Sequence, residues 1–242
     1  MTTIFSHLRV LGLVALLSAA AGSFALGGSA TPVAQAQEGE TAIYDAGAVW
    51  TGDARQCTNP IMRECCVHQL MWLSGASAEA IEFYDSTGWF LTEFRMTNGP
   101  VALGKVLMPW RANANEDYVL LNGAPSPIFA EEEAQDVDIT TDDAYYRLAA
   151  IFRPPFPTAS LDISPPDEVF EQELVSPSGG QRFVFQYEIV NGCRDCGTGY
   201  MARVALDFDP FGVYNGASLI GICNATAEIA LTGIGACPNT QP

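Results

Sequence analysis

Lysine is almost missing from this chain: Lys105 is the only one, and 11 basic residues stand against 28 acidic ones. Nucleic acid needs clustered Lys and Arg to contact its phosphates, so it is excluded as a partner. Anionic lipid headgroups are disfavoured for the same reason. Histidine is scarce too, with His7 and His68 alone. No Gly-x-Ser-x-Gly elbow and no glycine-rich phosphate loop occurs, which removes the usual signatures of serine hydrolases and nucleotide enzymes. Beyond Val10–Leu26, no apolar run reaches the roughly 18 residues needed to cross a bilayer. Charged residues make up only 16% of the chain and hydrophobic ones 48%. That balance belongs to an ordered, core-forming protein and excludes a disordered one.

What is present begins with a leader. Arg9 precedes the apolar run, and Ala34-Gln35-Ala36 forms a small-x-small site before the acidic stretch Gln37-Glu38-Gly39-Glu40. This is the layout of a cleaved signal peptide over residues 1–36. All seven cysteines follow it, so the expected location is secreted or periplasmic, where disulfides form and persist. Removing the leader leaves 206 residues carrying 10 basic and 28 acidic groups, a formal charge of −18. Such a surface suits a basic protein partner or a divalent cation. The sequence leaves the oligomeric state open.

The mature chain reads mostly as strands. Ala78 to Tyr84 and Trp89 to Met96 flank Asp85-Ser86-Thr87-Gly88, which reads as a tight turn. Val101 to Leu107 and Tyr118 to Leu121 are further strands. Gln181 to Val190 alternates best, with Phe183, Phe185, Tyr187 and Ile189 on one side and Arg182, Gln186 and Glu188 on the other. Gly199 to Phe208, Tyr214 to Cys223 and Ala225 to Thr232 extend a C-terminal antiparallel meander. One central helix is expected over Thr141 to Phe152, capped by Thr140 or Thr141 and stopped by Pro154-Pro155. Asp167 to Leu174 is compatible with either a short helix or a strand. Ala78 to Phe90 aligns without gaps on Ala202 to Tyr214, an echo that fits two related β units. The expected fold is therefore a mainly β, disulfide-stabilised α+β protein. Its divisions are 37–128 (N-terminal β unit), 129–166 (acidic loop, helix and Pro-rich connector) and 167–242 (C-terminal meander).

The cysteines are Cys57, Cys65, Cys66, Cys193, Cys196, Cys223 and Cys237. Cys193-x-x-Cys196 has redox spacing, but a thiol enzyme places its first cysteine at a helix N-terminus, and strands flank this pair. A structural cystine clipping a β-turn is the preferred reading. Cys223 and Cys237 are expected to tie down the C-terminus, closing a loop of about 15 residues worth about 3 kcal/mol. Cys57 is expected to pair with Cys65 or Cys66. Because seven is odd, one of these two is left buried or links two chains. The rival use is a thiol-redox or metal module built from Cys193 and Cys196 with Cys65, Cys66 and His68, including a Cys66–His68 dyad. Cys-Cys-x-His matches no zinc signature. Asp207-Phe-Asp209 lacks the later oxygens of a calcium loop. Trp50, Trp72, Trp89 and Trp110 are candidates for a ligand-stacking platform, and Glu131, Glu132 and Glu133 for a partner contact on a solvated loop. No catalytic residue, metal ligand set or cofactor is assigned. The functional expectation is an exported, non-enzymatic binding protein.

Overall fold

A computed structural model describes residues 44–108, 115–152, 161–193, 196–225 and 233–238. Eight strands form two four-stranded antiparallel sheets, each a meander in chain order. Sheet 1 holds β1 (Phe90–Arg95), β2 (Ala102–Met108), β3 (Asn115–Leu121) and β4 (Ile128–Phe129). Sheet 2 holds β5 (Leu161–Val175), β6 (Gln181–Asn191), β7 (Gly197–Phe208) and β8 (Tyr214–Asn224). Among the described residues four α-helices accompany them: α1 (Arg63–Leu73), α2 (Ala78–Thr87), α3 (Ala130–Gln135) and α4 (Asp143–Ile151). The chain is mainly β, antiparallel and clipped by three disulfides, as its alternation and cysteine content predict.

The core is built outward from β6. Phe183, Phe185, Tyr187 and Ile189 have no exposed surface. They meet Val101, Leu103 and Leu120 of sheet 1 and its approach, and Ala130, Ala134 and Leu148 of α3 and α4. Tyr118 sits in the seam between the sheets, 5.5 Å from the Phe185 ring and 6.2 Å from Phe170. Tyr187 carries its hydroxyl into this apolar layer and donates it to the Ala130 carbonyl at 2.9 Å, which satisfies the buried group. The opposite face of sheet 1 is covered as well. Leu91, Ala102, Val106, Val119 and Leu121 pack on Phe83 of α2 and on Tyr44. Trp50, Val67, Met71, Tyr84 and Phe90 then knit α1 and α2 together. Sheet 1 is thus covered on both faces, which is why Ala102, Leu103 and Val106 of β2 are all buried, with Lys105 half-buried between them.

The outer face of sheet 2 is polar and ordered by ion pairs. A bulge between Phe170 and Gln172 sets Glu171 beside Arg203. Arg203 Nε donates to Glu171 Oε2 at 2.7 Å and Nη2 donates to Oε1 at 2.6 Å, while Gln186 Nε2 donates to the same carboxylate at 3.2 Å. Arg182 and Asp207 form a second two-point pair at 2.7 and 2.6 Å.

Several local expectations are corrected. Ala78 to Tyr84 is helix, and Asp85-Ser86-Thr87-Gly88 is its last turn and cap. Ser77 Oγ accepts from Ala80 N at 2.9 Å at the start, and Gly88 ends the helix at φ +75°, its N–H donating to Tyr84 O. Both cap signals stand in the sequence, and Ala80, Phe83 and Tyr84 bury at helical spacing. The echo therefore aligns a helix with a strand and is not a structural repeat. Asn59-Pro60 reads as part of a loop from Cys57 to Cys66, but α1 takes over from that loop at Arg63. Glu131–Glu133 lie in α3, where carboxylates suit the first turn, rather than in a loop. Asp142, not Thr140 or Thr141, caps α4, since those threonines form a 3-10 turn capped by Asp138. Asp167 to Leu174 is strand, and the Pro-rich connector gives way to β5 at Leu161. Residues 1–36 and Pro154-Pro155 lie outside the described residues, as does the proposed strand beyond Ala225.

The Glu171 carboxylate is 4% exposed and the Arg203 side chain 18%. Removing one partner of such a pair leaves a buried charge uncompensated. Arg203→Met is expected to lower the urea-unfolding free energy by about 3 kcal/mol, whereas Arg203→Met with Glu171→Leu recovers most of it. Equal losses in the single and double variants would show that the pair does not act as a unit.

Candidate functional site

Three hairpin ends meet on one side of the molecule. The β1–β2 connection supplies Asn98, Gly99 and Pro100, the β5–β6 turn supplies Gly179 and Gly180, and the β7–β8 turn supplies Pro210. Between them lies a cleft of about 480 Å³, walled by Glu173, Leu174, Val175 and Gln181. Gln181 fixes its geometry. Its side chain is buried, its Oε1 accepts from Val101 N at 2.8 Å, and its Nε2 donates to Thr97 Oγ1, Val101 O and Glu173 Oε1. Glu173 also accepts from Asn98 N at 3.1 Å. Gly180 is required by close approach: a Cβ there would overlap the backbone of Phe208 and Asp209. Asp209 Oδ1 accepts from Phe211 N at 2.8 Å and Val213 N at 2.9 Å, shaping the third turn so that Phe211 points outward.

Apolar side chains are open at these hairpin ends. On the cleft wall Val175 is 77% exposed and Leu174 is open as well, and in the connections that carry Asn98 and Pro210 stand Met96, 71% exposed, Phe211, 86% exposed, and Val213. Large exposed side chains concentrated at one place mark an interaction surface more often than scattered ones do. The cleft therefore combines a single carboxylate, Glu173, with an apolar border on a rigid β platform. No residue of this cleft stands among the sequence-derived candidates. Its signals were the unexplained Val175 and Phe211 beside turn residues, which carry no meaning until the turns are known to meet.

The sequence-derived candidates disperse. Trp50 is core, tilted on Phe90 at 4.6 Å, with its Nε1 donating to Ser74 Oγ. Trp89 leans on Phe129 in sheet 1. Trp72 is exposed on α1, and Trp110 lies outside the described residues. These tryptophans form no common platform among the described residues. Cys57 pairs with Cys66, Cys193 with Cys196 and Cys223 with Cys237, leaving Cys65 exposed as a free thiol. The rival Cys66–His68 dyad does not form: Cys66 is bonded to Cys57, and His68 Nε2 meets Asp85 Oδ1 at 2.5 Å on the surface. The Cys193–Cys196 bridge closes the β6–β7 turn, with Asn191 N donating to Cys196 O, and no helix begins there. Asp207 is engaged by Arg182 and Asp209 by its own turn, which accounts for both without calcium. Among the described residues no group of three or more His, Cys, Asp or Glu converges as a metal site.

Glu131, Glu132 and Glu133 divide by role. Glu133 Oε2 accepts from Tyr214 OH at 2.7 Å, joining α3 to β8, while Glu132 is exposed. Burial raises the Tyr214 phenol above its usual value, and the Glu133 carboxylate adds to the effect. Neither a protein-family model, nor a curated protein, nor a solved structure matches this chain.

The Tyr214 proton is held more tightly in the folded chain than in the unfolded one. Its contribution to stability is complete below the ordinary phenol value of 10.0 and is lost as pH rises beyond it. Urea midpoints measured from neutral pH to above about pH 10 are expected to fall less steeply in Tyr214→Phe than in the native chain. An unchanged slope would place the alkaline loss elsewhere.

Proposed function

We propose that the chain is an exported, non-enzymatic binding protein that takes an extended segment of a basic partner polypeptide at the hairpin-tip cleft. A basic side chain of the partner meets Glu173, and its apolar neighbours lie against Val175 and Phe211. The observation that carries this reading is the meeting of three turns around one carboxylate, with open apolar side chains on the cleft wall and on the same turns. Burying one such large side chain contributes roughly 1.5–3 kcal/mol. Loops set on a rigid sheet scaffold are a frequent seat of recognition.

Charge favours the same partner. Of the seven basic residues among the described ones, Arg55, Lys105, Arg182 and Arg203 are engaged by carboxylates of their own chain. Arg95 lies over the Phe170 ring at 5.6 Å. The acidic excess thus faces outward and attracts cationic partners at long range. A single carboxylate in the cleft suits a guanidinium or ammonium group better than a divalent cation, which requires several oxygen ligands. The thiol-redox and metal readings gain no specific observation.

Selection from a random library of extended peptides against the oxidised chain tests this. Enrichment of Arg or Lys next to Leu or Phe is expected. Affinity for the selected peptides is expected to fall about tenfold, roughly 1.4 kcal/mol, in Glu173→Gln and in Phe211→Ser. It should hold in Glu132→Gln, which removes the same charge elsewhere. Enrichment without loss in the cleft variants, or no enrichment, would overturn the proposal.

A further inference from the structure

A second group of exposed apolar side chains lies far along the chain from the hairpin tips. Ile61 is 89% exposed, Met62 55%, Trp72 74% and Leu73 65%. Ile61 and Met62 stand in the turn that leads into α1, Met62 at its N-cap, and Cys65, Gln69, Trp72 and Leu73 share one face of the helix at spacings of three, four and seven. The opposite side of α1 is fully used, with Val67 and Met71 buried. The face is rigid where it begins. The Cys57–Cys66 bridge ties the preceding loop to α1, and Asn59 Oδ1 accepts from Ile61 N at 3.0 Å. The free thiol of Cys65 is exposed on that helix face.

We propose that this face of α1 is the contact between two copies of the chain, closed by a disulfide between their Cys65 residues. The proposal is independent of the cleft reading. Taking about 200 Å² for a large side chain when fully open, the four apolar residues present roughly 600 Å². With Cys65 and Gln69 the face approaches the ~800 Å² per partner that a specific interface buries. Charge points to a second copy as the occupant. From Ile61 to Leu73 the only full charges are Arg63 and Glu64, which cancel, whereas the chain as a whole carries −17. Two copies meeting here bring no like-charge excess together, and a twofold contact asks each copy for the same patch. A second copy also presents an unpaired thiol at the matching position.

The covalent step is thiol–disulfide exchange. The thiolate of one Cys65 attacks an external disulfide, forming a mixed disulfide and releasing one thiol. The Cys65 thiolate of the second copy attacks the Cys65 sulfur of that mixed disulfide and releases the other thiol. One S–S bond forms and one breaks, two Cys65 thiols lose two protons and two electrons, and the external disulfide becomes two thiols.

The test uses the full chain purified without reductant, followed by light scattering, non-reducing electrophoresis and mass mapping of linked peptides. A species of twice the chain mass containing a Cys65–Cys65 peptide is expected, absent in Cys65→Ser. Oxidised glutathione added to selectively reduced Cys65 is expected to give the dimer about tenfold more slowly in Trp72→Asp/Leu73→Asp. That variant should instead accumulate the glutathione mixed disulfide. Mass mapping of the three intramolecular disulfides certifies the fold of each variant. A monomer with Cys65 free or capped after oxidation would overturn the proposal. So would a dimer persisting in Cys65→Ser, or dimer formation at the native rate in the double variant.

Discussion

The inner face of β6 must be covered, and the rest of the arrangement follows from that requirement. Four alternate residues, Phe183, Phe185, Tyr187 and Ile189, have no exposed surface. The neighbours of β6 within its own sheet cannot cover that face, because a sheet hides its inner side only against another layer. Sheet 1 supplies one part of the cover through Val101, Leu103 and Leu120, and α3 with α4 supplies the other. Sheet 1 then has a second face to hide, which draws α2 onto it and α1 behind α2. The hydroxyl of Tyr187 and the side chain of Gln181 are among the polar groups this layering buries, and both find backbone partners. An unsatisfied group in either place would cost about 1–3 kcal/mol.

The shortage of basic residues has a structural consequence. Those on sheet 2 serve its outer face, where Arg203 and Arg182 each hold a carboxylate at two points. Lys105 lies on β2 against Glu116 of β3, which raises its proton affinity above the ordinary value. Cations engaged in this way are not available to neutralise the carboxylates of α3 and the turns that follow it. Several of those carboxylates work locally instead: Asp142 caps α4 and accepts from Ile222 N at 3.0 Å, and Asp138 caps the preceding 3-10 turn. The acidic excess is therefore partly a set of caps and ties, and only its exposed remainder acts on partners.

Against this polar background, most of the large exposed apolar side chains fall in two groups. The hairpin tips hold Met96, Leu174, Val175, Phe211 and Val213, and the start and outer face of α1 hold Ile61, Met62, Trp72 and Leu73, while Tyr146, Ile151 and Ile220 stand apart. Both groups sit on elements held by their own anchors, Gln181 and Asp209 for the tips and the Cys57–Cys66 bridge for α1. Rigidity lowers the entropy lost when such a surface is covered. The two faces differ in charge: one has Glu173 at its centre, the other a neutral helix carrying a thiol.

By itself the sequence determined the class of fold, the best strands, the acidic balance and the sites of sulfur bridging. These depend on period, composition and parity, which are properties of short stretches. It misread Ala78 to Tyr84, because Ile81, Phe83 and Tyr84 ahead of Asp85-Ser86-Thr87-Gly88 read as a strand entering a turn, whereas the caps at Ser77 and Gly88 and the burial of Phe83 under sheet 1 make it a helix. It left open whether Cys65 or Cys66 would pair with Cys57, which the fold decides for Cys66. The cleft was invisible for a stronger reason. Gln181 reaches Val101 across 80 residues and Glu173 reaches Asn98 across 75. Only the packing of one sheet on the other decides which turns meet, since that depends on which faces need cover and not on any local pattern.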